Sequence, residues 1–153
     1  MFLLVKILCI SRLVFLKMVV VFLSMLLNTD PSVDHLAELA GIRMSFRPSG
    51  EQLQQQLDSL LAQAGMTLDD VSLVMTGMNG NPANDQLYKP MLETLFADKP
   101  TMDYKRVFGE NYAASALGLY AAAHLLKQKD ELKAILLLNL TLTGDCSMML
   151  VKK

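Results

Sequence analysis

The spacing of apolar and polar residues predicts a strand and then a helix in the first part of the chain that can be assigned. Residues 42–46 alternate apolar and polar side chains, as a half-buried strand does. The helix that follows is predicted from a stripe of leucines at helical spacing, made of Leu53, Leu57, Leu60 and Leu61. Ser49 and Gln52 form a capping-box pattern before it, and Gly65 is the expected C-terminal stop.

Strands and helices are predicted to alternate over the rest of the chain. The predicted strands are 71–75, 102–107, 134–138 and 147–151. The predicted helices are about 84–96, kinked or restarted at Pro90, and a helix that follows the turn at Gly109 and ends at about Lys127. Residues 34–40 are predicted to be a connector with one or two helical turns. With the predicted strands 19–23 and 42–46 before the first helix, the order is β-β-α-β-α-β-α-β-β. This order predicts an α/β domain in which helices cover a largely buried, mixed sheet.

The N-terminal segment is apolar and has three interpretations. Residues 19–23 are β-branched and aromatic, which favours a buried strand. Residues 1–27 can also be a membrane or export segment, although the longest stretch without charge, 18–27, is about half of the roughly 20 residues that a span needs. In the third interpretation, residues 1–17 are an artefact of truncation.

Composition narrows the function classes. The length of 153 residues suits one domain, and the net charge of −1 gives no basic patch for nucleic acid. Cys9 and Cys146 lie far apart, without the spacing of a metal site. We therefore expect two reduced thiols in a cytoplasmic protein, with neither metal nor cofactor.

Two stretches carry candidate chemistry. Residues 76–85 form a loop rich in Gly, Asn and Pro after a predicted strand, where α/β proteins bind ligands. Residues 105–124 run from Lys105 through a turn at Gly109 into a helix of small residues. Because small residues let neighbouring backbones approach closely, this helix is predicted to lie deep in a core.

These stretches resemble the C-terminal half of β-ketoacyl-acyl-carrier-protein synthases, which have the thiolase fold. The likeness covers about residues 19–153 and is carried by four landmarks: the strand 70–74, the motif Pro82-Ala83-Asn84-Asp85, the frame of Lys105, Gly109 and Ala113-Ala114-Ser115-Ala116, and the final segment 139–153. The resemblance implies a thiolase-like half-domain over residues 18–153.

This sequence departs from the family pattern at the positions that match catalytic residues. By this resemblance, Gly77 and Glu110 stand where the two catalytic histidines would be, and Lys105 is retained. The turn that reads Gly-Phe-Gly-Gly in the family is 142–145 here. The family's nucleophilic cysteine belongs to the N-terminal half, which the likeness does not cover, and neither Cys9 nor Cys146 matches it. Loss of one preorganised donor costs about 100- to 1000-fold in rate.

Three functional hypotheses follow. The first is a degenerate ketosynthase-like protein or fragment in fatty-acid, polyketide or aryl-polyene-type biosynthesis. It would resemble chain-length factors, which are silent partners of an active ketosynthase in a homo- or heterodimer, and an acyl carrier protein is a possible second partner. The second is an acyl-thioester enzyme that uses Glu110 and Lys105 as an acid/base pair. The third is a small membrane-associated protein anchored by residues 1–27.

Overall fold

The computed structural model describes residues 5–11, 23–28 and 35–153, which form a seven-stranded sheet flanked by helices. The strands are β1 Val5–Ser11, β2 Leu23–Asn28, β3 Ala37–Phe46, β4 Val71–Thr76, β5 Thr101–Asp103, β6 Ala134–Leu140 and β7 Asp145–Lys152. The helices are α1 Gly50–Gln63, α2 Pro82–Asp85, α3 Lys89–Thr94, α4 Tyr104–Phe108 and α5 Ala114–Gln128, and a 3-10 turn spans Leu68–Asp70.

The sheet is mixed, with the strand order β2-β1-β3-β7-β6-β4-β5. Strands β6, β4 and β5 are parallel to one another, whereas β7 runs antiparallel to both β6 and β3. The carboxyl ends of β4, β5 and β6 therefore meet at one edge of the sheet. In α/β proteins this edge is where ligand sites form.

Helices cover both faces of the sheet. Strand β6 is apolar except at Asn139, and its side chains alternate between two clusters: Leu136 and Leu138 pack with residues of α1 and α3, whereas Ile135 and Leu137 pack with α5. A strand that is buried on both faces reads as a continuous apolar run. The predicted α/β architecture, with a buried mixed sheet covered by helices, is confirmed.

Helix α1 forms where its local signals predicted. Ser49 accepts a hydrogen bond from the backbone of Gln52, and the Gln52 side chain accepts one from the Ser49 backbone, which completes the capping box. All four leucines of the predicted stripe are buried. Gly65 has a φ of 67°, the left-handed conformation that ends many helices.

The prediction of a connector over 34–40 is wrong for its second half, because β3 begins at Ala37. Ala37 and Leu39 are buried against α5, and Glu38 forms an ion pair with Lys152 of the neighbouring strand. Pairing with β1 and β7 on either side thus extends the strand beyond the alternating segment.

The predicted strand over 102–107 is also wrong in its second half, which forms α4. The Arg106 guanidinium bonds Asp103 three residues earlier, and the Gly109 amide bonds the Lys105 carbonyl, so the chain closes into a helical turn. The predicted helix over 84–96 consists of α2 and α3, and Pro90 lies in the first turn of α3. Of the two alternatives given for Pro90, the restart is therefore correct.

The N-terminal predictions are only partly tested. β2 begins at Leu23, whereas 19–22 and the predicted domain boundary between residues 17 and 18 lie outside the described residues. β1 was not predicted; it pairs with both β2 and β3. Among the residues that the structure describes, no helix has the length and apolar character to cross a membrane.

The side of the sheet that carries α5 is less completely covered than the other side. The inner face of α5 is buried at Ala122, Ala123 and Leu126. Beyond the helix, one face of β3 leaves Ile42, Met44 and Phe46 exposed, and we call these three residues the uncovered strip. The prediction that α5 lies deep in a core is therefore correct for one of its faces only.

Candidate functional site

Three connections converge at the carboxyl ends of the parallel strands. They are the loop after β4, the turn between α4 and α5, and the turn between β6 and β7. A pocket of about 220 Å³ lies between them and is lined by residues from 79–84, 105–110 and 141–143. The fold thus brings together the loops that the sequence singled out, including the sites of Gly77, Lys105 and Glu110.

The loop after β4 is held in shape by its own side chains. The Asp85 carboxylate accepts hydrogen bonds from the backbone amides of Asn79 and Gly80 at 3.0 and 3.1 Å. Asn81 caps α2 by accepting a bond from the Ala83 amide at 3.0 Å. The dense Gly/Asn/Pro sequence therefore makes a loop whose shape is fixed by asparagine and aspartate.

Lys105 and Glu110 form an ion pair in the wall of the pocket. Lys105 Nζ donates to both carboxylate oxygens of Glu110, at 2.8 and 3.1 Å, and Asn79 Nδ2 donates to the same carboxylate at 2.9 Å. The Lys105 side chain is only 5% exposed, whereas that of Glu110 is 55% exposed. The hydrogen bond from Lys105 lowers the pKa of Glu110, so the carboxyl group is ionised at neutral pH.

A second polar network fixes the position of α4 beside the pair. Thr76 at the end of β4 donates to Asp103 at 2.6 Å, and Asp103 bonds Arg106 at 3.1 Å. Arg106 also reaches Asp85 of the loop after β4 at 3.4 Å. The two loops that contribute the pocket walls are therefore tied to each other and to the sheet.

Gly77 occupies a position with no room for a side chain. A Cβ atom placed there would lie 2.6 Å from Asn139 Oδ1, 2.7 Å from the Tyr88 hydroxyl and 3.3 Å from Lys105 Cε. Contacts below 3.0 Å cannot be accommodated without movement of the neighbours. The Gly77 amide still bonds the Leu138 carbonyl at 2.9 Å, so the backbone is anchored to β6 and has little freedom to retreat.

Tyr88 is the neighbour least able to move. Its fully buried hydroxyl donates to the Leu140 carbonyl at 2.8 Å and accepts from the Leu140 amide at 2.7 Å. Burial raises the pKa of Tyr88, so the hydroxyl keeps its proton and both bonds persist at all ordinary pH values. Tyr88 thereby fastens the start of α3 to the end of β6.

Several residues of the site escaped the sequence analysis as individual positions. Asn79 was part of a loop recognised only by its composition, and Asn84 was named only as a member of the motif 82–85, without a role of its own. Tyr88 and Asn139 carried no signal, because nothing local shows that both face Gly77. Asn84 is nine-tenths buried, and its Nδ2 has no hydrogen-bond partner in the part of the chain that the structure describes.

Cys146 lies outside this pocket, in β7. It is a free, buried thiol whose pKa is raised by burial, which makes it a poor nucleophile. Nothing is described of the Cys9 side chain. Within 5–11, 23–28 and 35–153, no group of three His, Cys, Asp or Glu side chains is arranged to hold a metal ion.

Comparison with solved structures identifies the fold. A structure described as "PfaC Keto synthase-Chain length factor" matches 84% of this chain with a TM-score of 0.74 and 20% identity. "The ishigamide ketosynthase/chain length factor" matches 78% with a TM-score of 0.67 and 16% identity. A type II polyketide synthase acyl-carrier protein in complex with its ketosynthase bound to the hexaketide matches 78% with a TM-score of 0.64 and 18% identity.

These matches confirm the thiolase-like fold that the resemblance implied. This chain spans 14%, 38% and 39% of the length of the three structures. No family model matches the sequence, and a search of curated proteins also gives no match. At identities this low, the likeness establishes the fold, and function must be argued from the site.

Proposed function

We propose that this chain is a non-catalytic, ketosynthase-like protein that acts as a partner of an active ketosynthase, in the manner of a chain-length factor. The observation that carries the proposal is the crowding at Gly77. A decarboxylating condensation needs donors that stabilise negative charge on a thioester oxygen. Tyr88, Asn139 and Lys105 fill the space in which an imidazole at position 77 would have to lie.

The second position supports the same conclusion. Glu110 is an ionised carboxylate at neutral pH, which would repel a developing enolate instead of stabilising it. Lys105 is already bonded to both oxygens of Glu110, so its charge is neutralised locally. The acid/base alternative is disfavoured because a carboxyl group with a lowered pKa is a weak base and does not donate a proton at neutral pH.

The uncovered strip supports a partner role. Ile42, Met44 and Phe46 lie on one face of β3, and Met44 and Phe46 are 80% and 64% exposed. Contiguous exposed apolar residues on one sheet face are typical of surfaces that bind another protein. In this proposal the partner is a ketosynthase subunit, an acyl carrier protein joins the assembly, and the acyl chain and pathway are those of the partner.

The partner role is tested by capture from the native host. Tagged full-length chain is expected to recover a ketosynthase subunit, identified by mass spectrometry. Met44→Glu is expected to abolish recovery by placing a charge in the strip. Gln55→Glu adds the same charge on the exposed side of α1 and should leave recovery unchanged. Recovery of neither a ketosynthase nor an acyl carrier protein would refute the proposal.

The absence of catalysis is tested separately with purified protein. No acyl-thioester turnover is expected from the natural sequence. None is expected from the double variant Gly77→His/Glu110→His either, because the first imidazole has no space and neither Cys9 nor Cys146 matches the family's nucleophile. Turnover by the natural sequence that is lost in Glu110→Gln would instead establish the acid/base enzyme.

A further inference from the structure

We propose that a groove between β3 and α1 binds a small carboxylate that carries an apolar group, with Arg43 as its cationic contact and the amide nitrogens of Gln52 and Gln56 as further donors. The groove has a volume of about 280 Å³ and shares no lining residue with the pocket beside Lys105. The inference concerns ligand binding by this chain alone and does not depend on the partner role proposed above.

Arg43 supplies the groove with a positive charge that is bonded only to neutral groups. Its guanidinium donates to the side-chain oxygens of Gln63 and Ser59 at 2.6 and 3.3 Å, and to the Ile42 carbonyl at 3.0 Å. These bonds fix the position of the guanidinium without neutralising its charge. Because Arg43 is half-buried, that charge is less screened by water than it would be on an open surface.

Two glutamines that line the groove use their oxygens in bonds within the protein. Gln52 Oε1 accepts from the Ser49 backbone amide at 2.8 Å, and Gln56 Oε1 accepts from the Ser45 hydroxyl at 3.1 Å. Since a backbone amide can only donate, the orientation of the Gln52 side chain is fixed. The Nε2 groups of both glutamines remain as donors, and donors beside a cation match the oxygen atoms of an anion.

The groove wall carries a single charge. Among the described residues that line it, none is acidic. Glu51 and Asp58 belong to α1 but are not lining residues, and Asp58 accepts a hydrogen bond from Gln54 at 2.8 Å. A carboxylate neutralises one positive charge, whereas a phosphate dianion would bring an excess negative charge out of water. The charge of the wall therefore favours a monoanion.

One end of the groove is apolar and is formed by Phe46 and Pro48. The Arg47 guanidinium lies 5.0 Å from the centroid of the Phe46 ring, a cation–π contact that favours this position of the ring, and Arg47 does not line the groove. An apolar group that packs on Phe46 removes exposed apolar surface from water. The expected ligand thus places its carboxylate near Arg43 and its apolar group near Phe46.

Benzoate and benzamide are suitable probes because they have nearly the same shape and differ in charge. Side-chain amide signals in proton–nitrogen correlation spectra of the full chain, at matched ionic strength, measure binding. We expect benzoate to bind at least about tenfold more tightly than benzamide, and more tightly than acetate or inorganic phosphate. Equal or tighter binding of benzamide or phosphate would overturn the charge argument, and equal binding of acetate would refute the apolar contact.

Arg43→Gln tests the cation and should lower benzoate affinity at least about tenfold. Lys89→Gln is the matched control, because it removes one exposed cation from α3, outside the groove, and should leave benzoate affinity unchanged. Equal losses in the two variants would reveal a general charge effect and refute the assignment to Arg43.

Gln52→Glu tests the groove and does not depend on whether Arg43→Gln folds. Glutamate at this position can still accept the bond from the Ser49 amide and is common in capping boxes, so α1 should form as before. The variant loses a donor and adds a negative charge, so benzoate affinity should fall at least about tenfold while thermal stability is kept. Undiminished benzoate binding in this folded variant would overturn the proposal. Capture of a ketosynthase can succeed or fail independently of these results.

Discussion

Gly77 and Glu110 lie close together at the same edge of the sheet, yet one position is closed and the other is open. Gly77 is surrounded by side chains that leave no space for a Cβ atom. Glu110 stands on an exposed loop with half of its side chain in solvent. The first position has become part of the packing, whereas the second retains a polar group that a ligand can reach. Any remaining capacity of this site should therefore depend on residue 110.

Among the substitutions near the closed position, Tyr88→Phe is expected to lower the free energy of unfolding most. In Tyr88→Phe, the amide and carbonyl of Leu140 both lose their partner in a buried environment. Two unpaired buried backbone groups cost about 2–4 kcal/mol in total. Chemical denaturation should show this loss in the free energy of unfolding. A loss below about 0.5 kcal/mol would mean that other groups satisfy Leu140.

Gly77→Ala tests the crowding itself and should destabilise the protein by about 1–3 kcal/mol, since the new methyl group forces its neighbours to shift. Gly50→Ala is the matched control, because no atom lies within 4 Å of the Cβ it would add. It should be neutral or stabilise the fold by up to about 1 kcal/mol. Equal effects of the two substitutions would show that position 77 has free space.

The double variant Gly77→Ala/Tyr88→Phe sharpens this result. Removal of the Tyr88 hydroxyl frees one of the two closest contacts of the new methyl group. The two losses should therefore sum to more than the loss in the double variant, with a coupling of about 0.5–3 kcal/mol. If the two single losses simply add up to the loss in the double variant, the Tyr88 hydroxyl is not the group that crowds the new methyl group.

The open and closed positions also differ in how far the sequence predicts them. Helix α1 and strand β6 follow from local signals, namely the Ser49/Gln52 capping box and a continuous apolar run. Glu110 near Lys105 is also a local relation, since five residues separate them across one turn. These features are encoded by residues that are neighbours in the chain.

The closed position cannot be predicted from residues that are close together in the sequence. Tyr88 bonds Leu140, which is 52 residues away, and both come to Gly77 only through the pairing of β4 with β6. The helical turn at 104–108 was also missed, although the bonds that close it are local. A glycine in a turn and a glycine in a filled space have the same appearance in a sequence.

The smallest expected effect is the pH dependence of the open position. The hydrogen bond from Lys105 lowers the pKa of Glu110 below its usual value of 4.5. The stabilisation is therefore fully present above pH 4.5 and is lost as the pH falls through the lowered pKa in the folded protein. Because half of the side chain is in water, the contribution should be about 1 kcal/mol or less.

Unfolding of the natural sequence and Glu110→Gln at pH 7 and at pH 3 measures this contribution. The advantage of the natural sequence should shrink at the lower pH, because Glu110 is protonated below pH 4.5 in the unfolded chain, and protonation in the folded protein follows as the pH falls further. Asp130→Asn, measured in parallel, accounts for the general effect of removing an acid. A difference that stays constant between the two pH values would mean that the ionised carboxylate adds nothing to stability. Glu110 would then contribute no more to the fold than a neutral glutamine does, and its ion pair with Lys105 would not stabilise the loop.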